Sequence, residues 1–323
     1  MYIASCPLRV SLFGGSTDNP YFVEKYGRGS VISFTSTLKT YVTISQDIVG
    51  FNKDKHKYII NYSKREEVSS VDDIQNEVVR TVLKHFNMPP ITVSLTSDAY
   101  SQGSGLASSS SYTISLIKAC CLFLKKTISD NDACKLAYNL ERNYNIYCGY
   151  QDPYGCGVGG FKRITFMGDN SIAYEFLSTD IFERYDTHLV FTGVTRNSKK
   201  ILKNVTENLD KVKPLLTTCD KAYDVLISKD HEKFLYLVGK SWSQKKQTSP
   251  IIAECDTICE MDYVLENNET VCAHKLCGAG NGGFFLTFSE KNELNIPFEC
   301  VKIEVEPNGV YGRIILTHLM NIF

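Results

Sequence analysis

Apolar and polar residues alternate loosely along Tyr2–Phe13 and again along Tyr41–Ser45, a period of two that predicts strands. Tyr58–Tyr62 and Ile91–Leu95 add two short β-prone runs. Between them the period changes: Asp72–Phe86 reads as a helix with Val78, Val79, Val82 and Leu83 on one face. In Tyr112–Lys125 the residues Tyr112, Leu116, Ala119, Cys120 and Phe123 recur at helical steps, and the helix is expected to open near Gly105. A further helix over about Asp130–Tyr144 has Ser129 as N-cap material. Phe161–Phe166 and Ile172–Phe176 predict a hairpin.

Past Tyr185 the character shifts. Leu189–Gly193 reads as a strand, and helical patterns then run from Ser198 to about Asn267, punctuated at Lys213-Pro and Ser249-Pro. Strands near Cys272, at Gly282–Phe288 and at Val301–Val305 follow, with Gly312–Leu316 as a fourth. This is an α+β pattern in two halves, 1–180 and 181–323, joined near residues 178–186.

The 323 residues carry 35 Lys+Arg against 36 Asp+Glu, a balance that gives no bulk pull toward nucleic acid or membrane. No apolar run approaches the roughly 20 residues that cross a bilayer, and the N-terminus lacks the basic-then-apolar run of a signal peptide. The twelve cysteines are scattered without C-x-x-C or zinc spacing, so a reduced, cytoplasmic protein is expected.

Candidate chemistry centres on glycine. Gly103-Ser104-Gly105-Leu106-Ala107-Ser108-Ser109-Ser110-Ser111 runs straight into an apolar helix. Such a turn aims backbone N–H groups and the positive end of the helix dipole at one point, which favours a phosphate. A flexible Gly/Ser loop with a serine N-cap is the competing reading. No G-x-x-x-x-G-K-[ST] occurs, which removes the P-loop NTPases. Gly278–Gly283 satisfies G-x-G-x-x-G, but the β-prone Phe284–Phe288 follows where a dinucleotide fingerprint needs a helix.

Taken in order, three segments resemble the GHMP kinase superfamily: Cys6–Asp18 its N-terminal substrate motif, Gly103–Ser111 its nucleotide-phosphate loop, Lys275–Gly283 its C-terminal glycine motif. Gln151-Asp152-Pro153-Tyr154, Gly159-Gly160-Phe161 and Gly239–Lys246 are similar to the sugar-kinase branch that holds D-glycero-D-manno-heptose 7-phosphate kinases and fucokinase domains. The resemblance spans essentially the whole chain. Ala107 departs from it where glycine or serine is usual, Cys277 where serine or threonine is usual, and Asn281 where glycine is usual.

The resemblance implies a two-domain fold and an ATP- and Mg²⁺-dependent phosphotransferase. The residues from Gly103 to Ser110 would hold the ATP phosphates. Ser109 would offer its hydroxyl to Mg²⁺, and Glu141 would be the second metal ligand, against the plain reading of a solvated helix carboxylate. Asp152, expected on a loop because Pro153 follows, would be the base. Arg9 would stand beside it, against the reading of a strand-edge surface charge. Thr17 and Asp18 would meet sugar hydroxyls, although Asp18 also fits an Asx-type turn before Asn19-Pro20. Gly278, Ala279 and Gly280 would border the substrate, with Arg196 and Lys240, and also Lys245 and Lys246, as cations for an acceptor phosphate.

The implied acceptor is a small-molecule sugar or sugar phosphate, best matched by D-glycero-D-manno-heptose 7-phosphate at its anomeric hydroxyl, for activated heptose in polysaccharide synthesis. An anomeric kinase for L-fucose or another hexose is the near alternative. A diphosphomevalonate decarboxylase and a non-catalytic binding protein on the same fold are the distant ones. No nucleic-acid or membrane partner is expected, and a homodimer is compatible with the pattern.

Overall fold

The first strand, β1 (Tyr2–Phe13), is buried along most of its length and organises the molecule. The computed structural model describes residues 1–46, 56–100, 103–195 and 198–315. After β1 come α1 (Pro20–Tyr26), β2 (Arg28–Ser45), β3 (Tyr58–Asn61), β4 (Arg65–Val68), α2 (Glu77–His85), β5 (Thr92–Ser97), α3 (Ser108–Phe123) and α4 (Asp130–Glu141). Then α5 (Gln151–Gly157), β6 (Phe161–Met167) and β7 (Ile172–Phe176) complete the first half. The second half holds α6 (Asp180–Arg184), β8 (Tyr185–Phe191), α7 (Ser198–Thr206), α8 (Lys213–Ile227), α9 (His231–Thr248) and α10 (Asp256–Glu266). It ends with β9 (Ala273–Leu276), β10 (Phe284–Glu290), β11 (Cys300–Ile303) and β12 (Tyr311–Ile314).

The eight-stranded sheet runs β12-β1-β2-β5-β3-β4, with the β6–β7 hairpin also on β2; the four-stranded sheet runs β11-β8-β10-β9. The α+β reading holds. The chain leaves the first sheet between β7 and β8, near the expected join. It does not stay away, because β12 pairs with β1 through Tyr2↔Ile314 to Ser5↔Tyr311, so the last described strand belongs to the first sheet.

The two sheets share a core. Leu8, Val10 and Leu12 of β1 pack in one cluster with Phe34, Phe161, Phe234, Leu286 and Phe288. Each such side chain contributes about 1.5–3 kcal/mol on burial. A register shift against β2 between Pro7 and Arg9 sets the geometry of the site. Ala4 and Cys6 pack in the α3 cluster, Leu8, Val10 and Leu12 join the inter-sheet core, and Arg9 and Ser11 line the cleft. Irregularities of this kind commonly re-aim side chains beside active sites.

Candidate active site

A cavity of about 210 Å³ opens between the two halves, lined by β1, the 103–110 loop, the α4–α5 connection, α7, α9 and the glycine turn after β9. The loop is built from left-handed backbone: Gly103, Gly105 and Ala107 have φ of 70, 79 and 60°. Ala107 occupies the N-cap of α3 without a side-chain cap, at a cost of roughly 1–2 kcal/mol for a residue with a Cβ. Leu106 departs from its expected phosphate role. Its side chain is fully buried, its N–H donates to Ser104 Oγ at 3.2 Å, and its carbonyl accepts from the Arg9 N–H at 3.1 Å. This apolar side chain, between Gly105 and Ala107, anchors the loop in the core. Gly103, Ser104, Gly105, Ala107, Ser108, Ser109 and Ser110 do line the cavity.

Arg9 connects this loop to the carboxylate expected to be the base. Its Nε and Nη2 donate to Asp152 Oδ1 at 3.0 and 2.6 Å, while Nη1 donates to the Gly105 carbonyl at 2.6 Å. Arg9 is buried. Burial works against its charge, but Asp152 prevails and its pKa is raised. Asp152 lies in the first turn of α5, not on a loop. Proline is tolerated in a first turn because those N–H groups have no intrahelical partner, so Pro153 is accommodated and the short helix was missed.

Glu141 ends α4 and is buried. Ser110 Oγ donates to its Oε2 at 2.8 Å, and Oε1 is buried with no hydrogen-bond partner. Burial pushes its pKa up to about 8, opposed by the Ser110 hydrogen bond and assisted by Asp152. The exposed Ser109 stands across the same cavity, its hydroxyl 3.5 Å from that of Tyr144.

The acceptor end differs more from expectation. Thr17 is fully buried and donates to the carbonyls of Gly14 and Ser30 at 2.7 and 2.8 Å. Its hydroxyl is committed to the turn, and Gly15, Ser16, Asp18 and Asn19 line the cavity instead. Asp18 does not form the Asx-type turn: its Oδ1 accepts from the preceding Ser16 N–H at 3.0 Å and its Oδ2 from the Gln151 N–H at 3.1 Å, while Asn19 Oδ1 accepts from the Tyr21 N–H at 2.9 Å. Burial and then Asp152 raise its pKa. Gly149 has to be glycine here, since a Cβ would lie 1.9 Å from Asp18 Oδ2.

Gly278 and Ala279 line the cavity, whereas Gly280 packs against Ile252, which a Cβ would meet at 2.7 Å. Lys240 is exposed on α9 outside the lining, and Lys246 turns to Asp262 at 2.6 Å. Arg196 lies outside the described residues. Among the described residues, the lysines that line the cleft beside Arg9 are Lys245 and Lys275, both buried. Lys275 Nζ donates to the Leu12 carbonyl at 2.5 Å, and burial lowers its pKa to about 8. Sequence reasoning quoted Lys275 only as the start of a glycine motif. Its place in a β-prone run before Gly278 was the available signal. Ser11 and Gln151, joined by a 2.5 Å hydrogen bond on the cleft wall, were also missed.

Residues 73–160 match the family model for the GHMP kinases N terminal domain. The chain is 28% identical over 302 residues, 87% of each protein, to a D-glycero-alpha-D-manno-heptose 7-phosphate kinase of Campylobacter jejuni. It is 25% identical to an L-fucokinase/L-fucose-1-P guanylyltransferase of Bacteroides fragilis, spanning 94% of this chain and 36% of that one. Its fold matches a crystal structure of a D-glycero-D-manno-heptose 1-phosphate kinase from Bacteroides thetaiotaomicron, with TM-score 0.74, 20% identity, and coverage of 98% of this chain and 100% of the other.

Proposed function

We propose that the chain is a phosphotransferase of the GHMP kinase type, the type its family match and relatives point to, and that it phosphorylates the anomeric hydroxyl of a phosphorylated heptose, D-glycero-D-manno-heptose 7-phosphate. The observation that carries this reading is the Arg9 bridge between Asp152 and the Gly105 carbonyl, which holds a base beside a phosphate loop. The relative's printed activity supports the choice of acceptor. The two buried lysines of the cleft add a second reason, because they suit an acceptor that already carries a phosphate.

In the proposed reaction Asp152 takes the proton of the attacking hydroxyl, the oxygen bonds to the γ-phosphorus, and the bond to the β,γ-bridging oxygen breaks to release ADP. Arg9 holds the carboxylate in place and stabilises negative charge developing on the hydroxyl oxygen. Asp18 and the Ser11–Gln151 pair orient the sugar, and Lys245 and Lys275 bind its phosphate. The loop backbone and the start of α3 hold the ATP phosphates.

The residues present fit a divalent cation. Glu141 Oε1 is a buried oxygen without a partner, and Ser109 supplies a hydroxyl on the same cavity, both hard oxygen donors suited to Mg²⁺. Bound there, Mg²⁺ neutralises charge on the ATP phosphates. Glu141 and Ser109 would hold it, with Ser110 fixing the Glu141 carboxylate from behind.

Phosphorus NMR with MgATP and a panel of heptose 7-phosphate, L-fucose, galactose and mevalonate derivatives tests the proposal. A new anomeric phosphate signal with ADP, seen only for the heptose phosphate and lost in Asp152→Asn, is the expected result. Turnover of L-fucose in preference to the heptose phosphate would overturn the acceptor assignment.

A further inference from the structure

We infer that Asp262 is a positioning residue that sets the two acceptor-side lysines from behind the cleft. The inference rests on the proposed role of Lys245 and Lys275.

Asp262 sits on α10 and is not part of the cavity lining. Its carboxylate nevertheless ties together the two elements that carry those lysines. On α9, Trp242 Nε1 donates to Oδ1 at 2.6 Å and Lys246 Nζ to Oδ2 at 2.6 Å. On β9, His274 Nε2 lies 2.8 Å from Oδ1. The Lys246 ammonium also lies over the Trp242 ring at 5.1 Å. The carboxylate is held at about 2: burial alone would raise its pKa, and the His274, Lys246 and Trp242 contacts outweigh that.

Each residue that Asp262 grips is one position from a residue that faces the cleft. Ser241 and Lys245 share one face of α9, four residues apart, while Trp242 and Lys246 share the neighbouring face. On β9 successive side chains point to opposite sides, so fixing His274 fixes the direction of Lys275. Ser241, Lys245 and Lys275 are cleft residues, and the Asp262 contacts hold the other sides of the same two elements. One carboxylate thus sets the separation of two ammonium groups.

The test uses the full chain and two readouts. The first is the rate at which Lys245 and Lys275 are acetylated, read by mass spectrometry without any substrate. Lys240 is the exposed reference and buried Lys162, in the first sheet, the control for general unfolding. Asp262→Asn and Trp242→Phe should both raise labelling of Lys245 and Lys275 severalfold and leave Lys162 protected, with Trp242→Phe the milder because it removes one donor. The second readout is kinetics with MgATP and the heptose phosphate. Acceptor KM should rise about tenfold or more, the scale expected when a binding group is misplaced, while ATP KM stays within about twofold and Asp262→Glu recovers part of the loss.

Unchanged labelling of the two lysines overturns the inference whatever the substrate is. Labelling of Lys162 that rises together with theirs also overturns it, since that is general destabilisation. Raised labelling of the pair alone in the variants, together with a wild-type protein that phosphorylates no sugar phosphate, upholds Asp262 as their positioner and removes the proposed acceptor.

Discussion

Gly283 presses against the carbonyl of Ser104: a Cβ on that glycine would lie 2.2 Å from the Ser104 oxygen. The third glycine motif is therefore the back wall of the 103–107 loop, the proposed seat of the ATP phosphates. Gly283 has φ of +93° and is fixed by hydrogen bonds from Thr192 to its carbonyl and from its own N–H to Val194. Backbone meets backbone there, so no flexible side chain can yield. Gly283→Ala must displace the 103–107 loop. The expected outcome is a rise of about tenfold or more in ATP KM, with acceptor affinity nearly unchanged. Retained ATP affinity, measured by isothermal titration, would show that the loop does not need this wall.

The Arg9–Asp152 pair gives a sharper kinetic expectation. Asp152→Asn keeps the shape and removes the proton acceptor, so kcat should fall by about 10²–10⁴ with ATP binding intact. Arg9→Lys should lower kcat and also raise ATP KM. A lysine cannot reproduce the fork that reaches Asp152 and the Gly105 carbonyl together. An Asp152→Asn protein that keeps more than a tenth of its turnover would remove Asp152 from the chemistry.

Elements with a clean period were legible in the sequence. β1 was bounded correctly at Tyr2–Phe13, and the β6–β7 hairpin and α4 lay close to where their patterns put them. Short helices were not legible. α1 and α5 span seven residues each, about two turns, too few for a period to repeat, and each carries a proline that reads as a turn. Most of β2 was missed for the opposite reason. Buried on both faces over Gly29–Ser36, it shows a continuous buried run and no alternation. The motifs named Arg9, Asp18, Glu141 and Asp152, and the fold brings these four together on one cavity. Thr17 and Leu106, named with them, lie off that lining, because a motif does not say which of two neighbours faces a cleft and which holds the backbone.

Glu141 makes the stability of the protein depend on pH, and the proposed metal role adds a dependence on Mg²⁺ to be tested. Its folded pKa of about 8 lies above the ordinary 4.5, so between those values the folded state binds more protons than the unfolded one. Stability from this group is present at low pH and is lost as pH rises through about 8. The loss is on the order of a few kcal/mol. Glu141→Gln should flatten the fall in melting temperature between pH 6 and 8.5 and also lower turnover. Mg²⁺ with ADP should stabilise the wild type more at pH 8.5 than at pH 6. An equal Mg²⁺ effect at both pH values would separate Glu141 from the metal.

Lys162 is the buried cation at the other end of α5. Its ammonium is fully buried and donates to the carbonyls of Gly155, Gly159 and Gly160 at 3.1, 3.3 and 3.3 Å. It caps the helix whose first turn carries Asp152. Burial lowers its pKa to about 8, so its contribution to stability increases as pH rises from about 8 toward the ordinary value of 10.5. Lys162→Met removes the buried charge but leaves three carbonyls without their donor. Each orphaned group costs about 1–3 kcal/mol, and that sum exceeds the desolvation relieved. The variant should therefore melt lower at pH 7, and lower still relative to wild type at pH 10, where wild-type Lys162 is neutral and still donates. Some rise with pH will remain, because Lys275 is also lowered to about 8. A variant as stable as wild type at both pH values would mean that the carbonyls find other donors and that Lys162 does not hold α5.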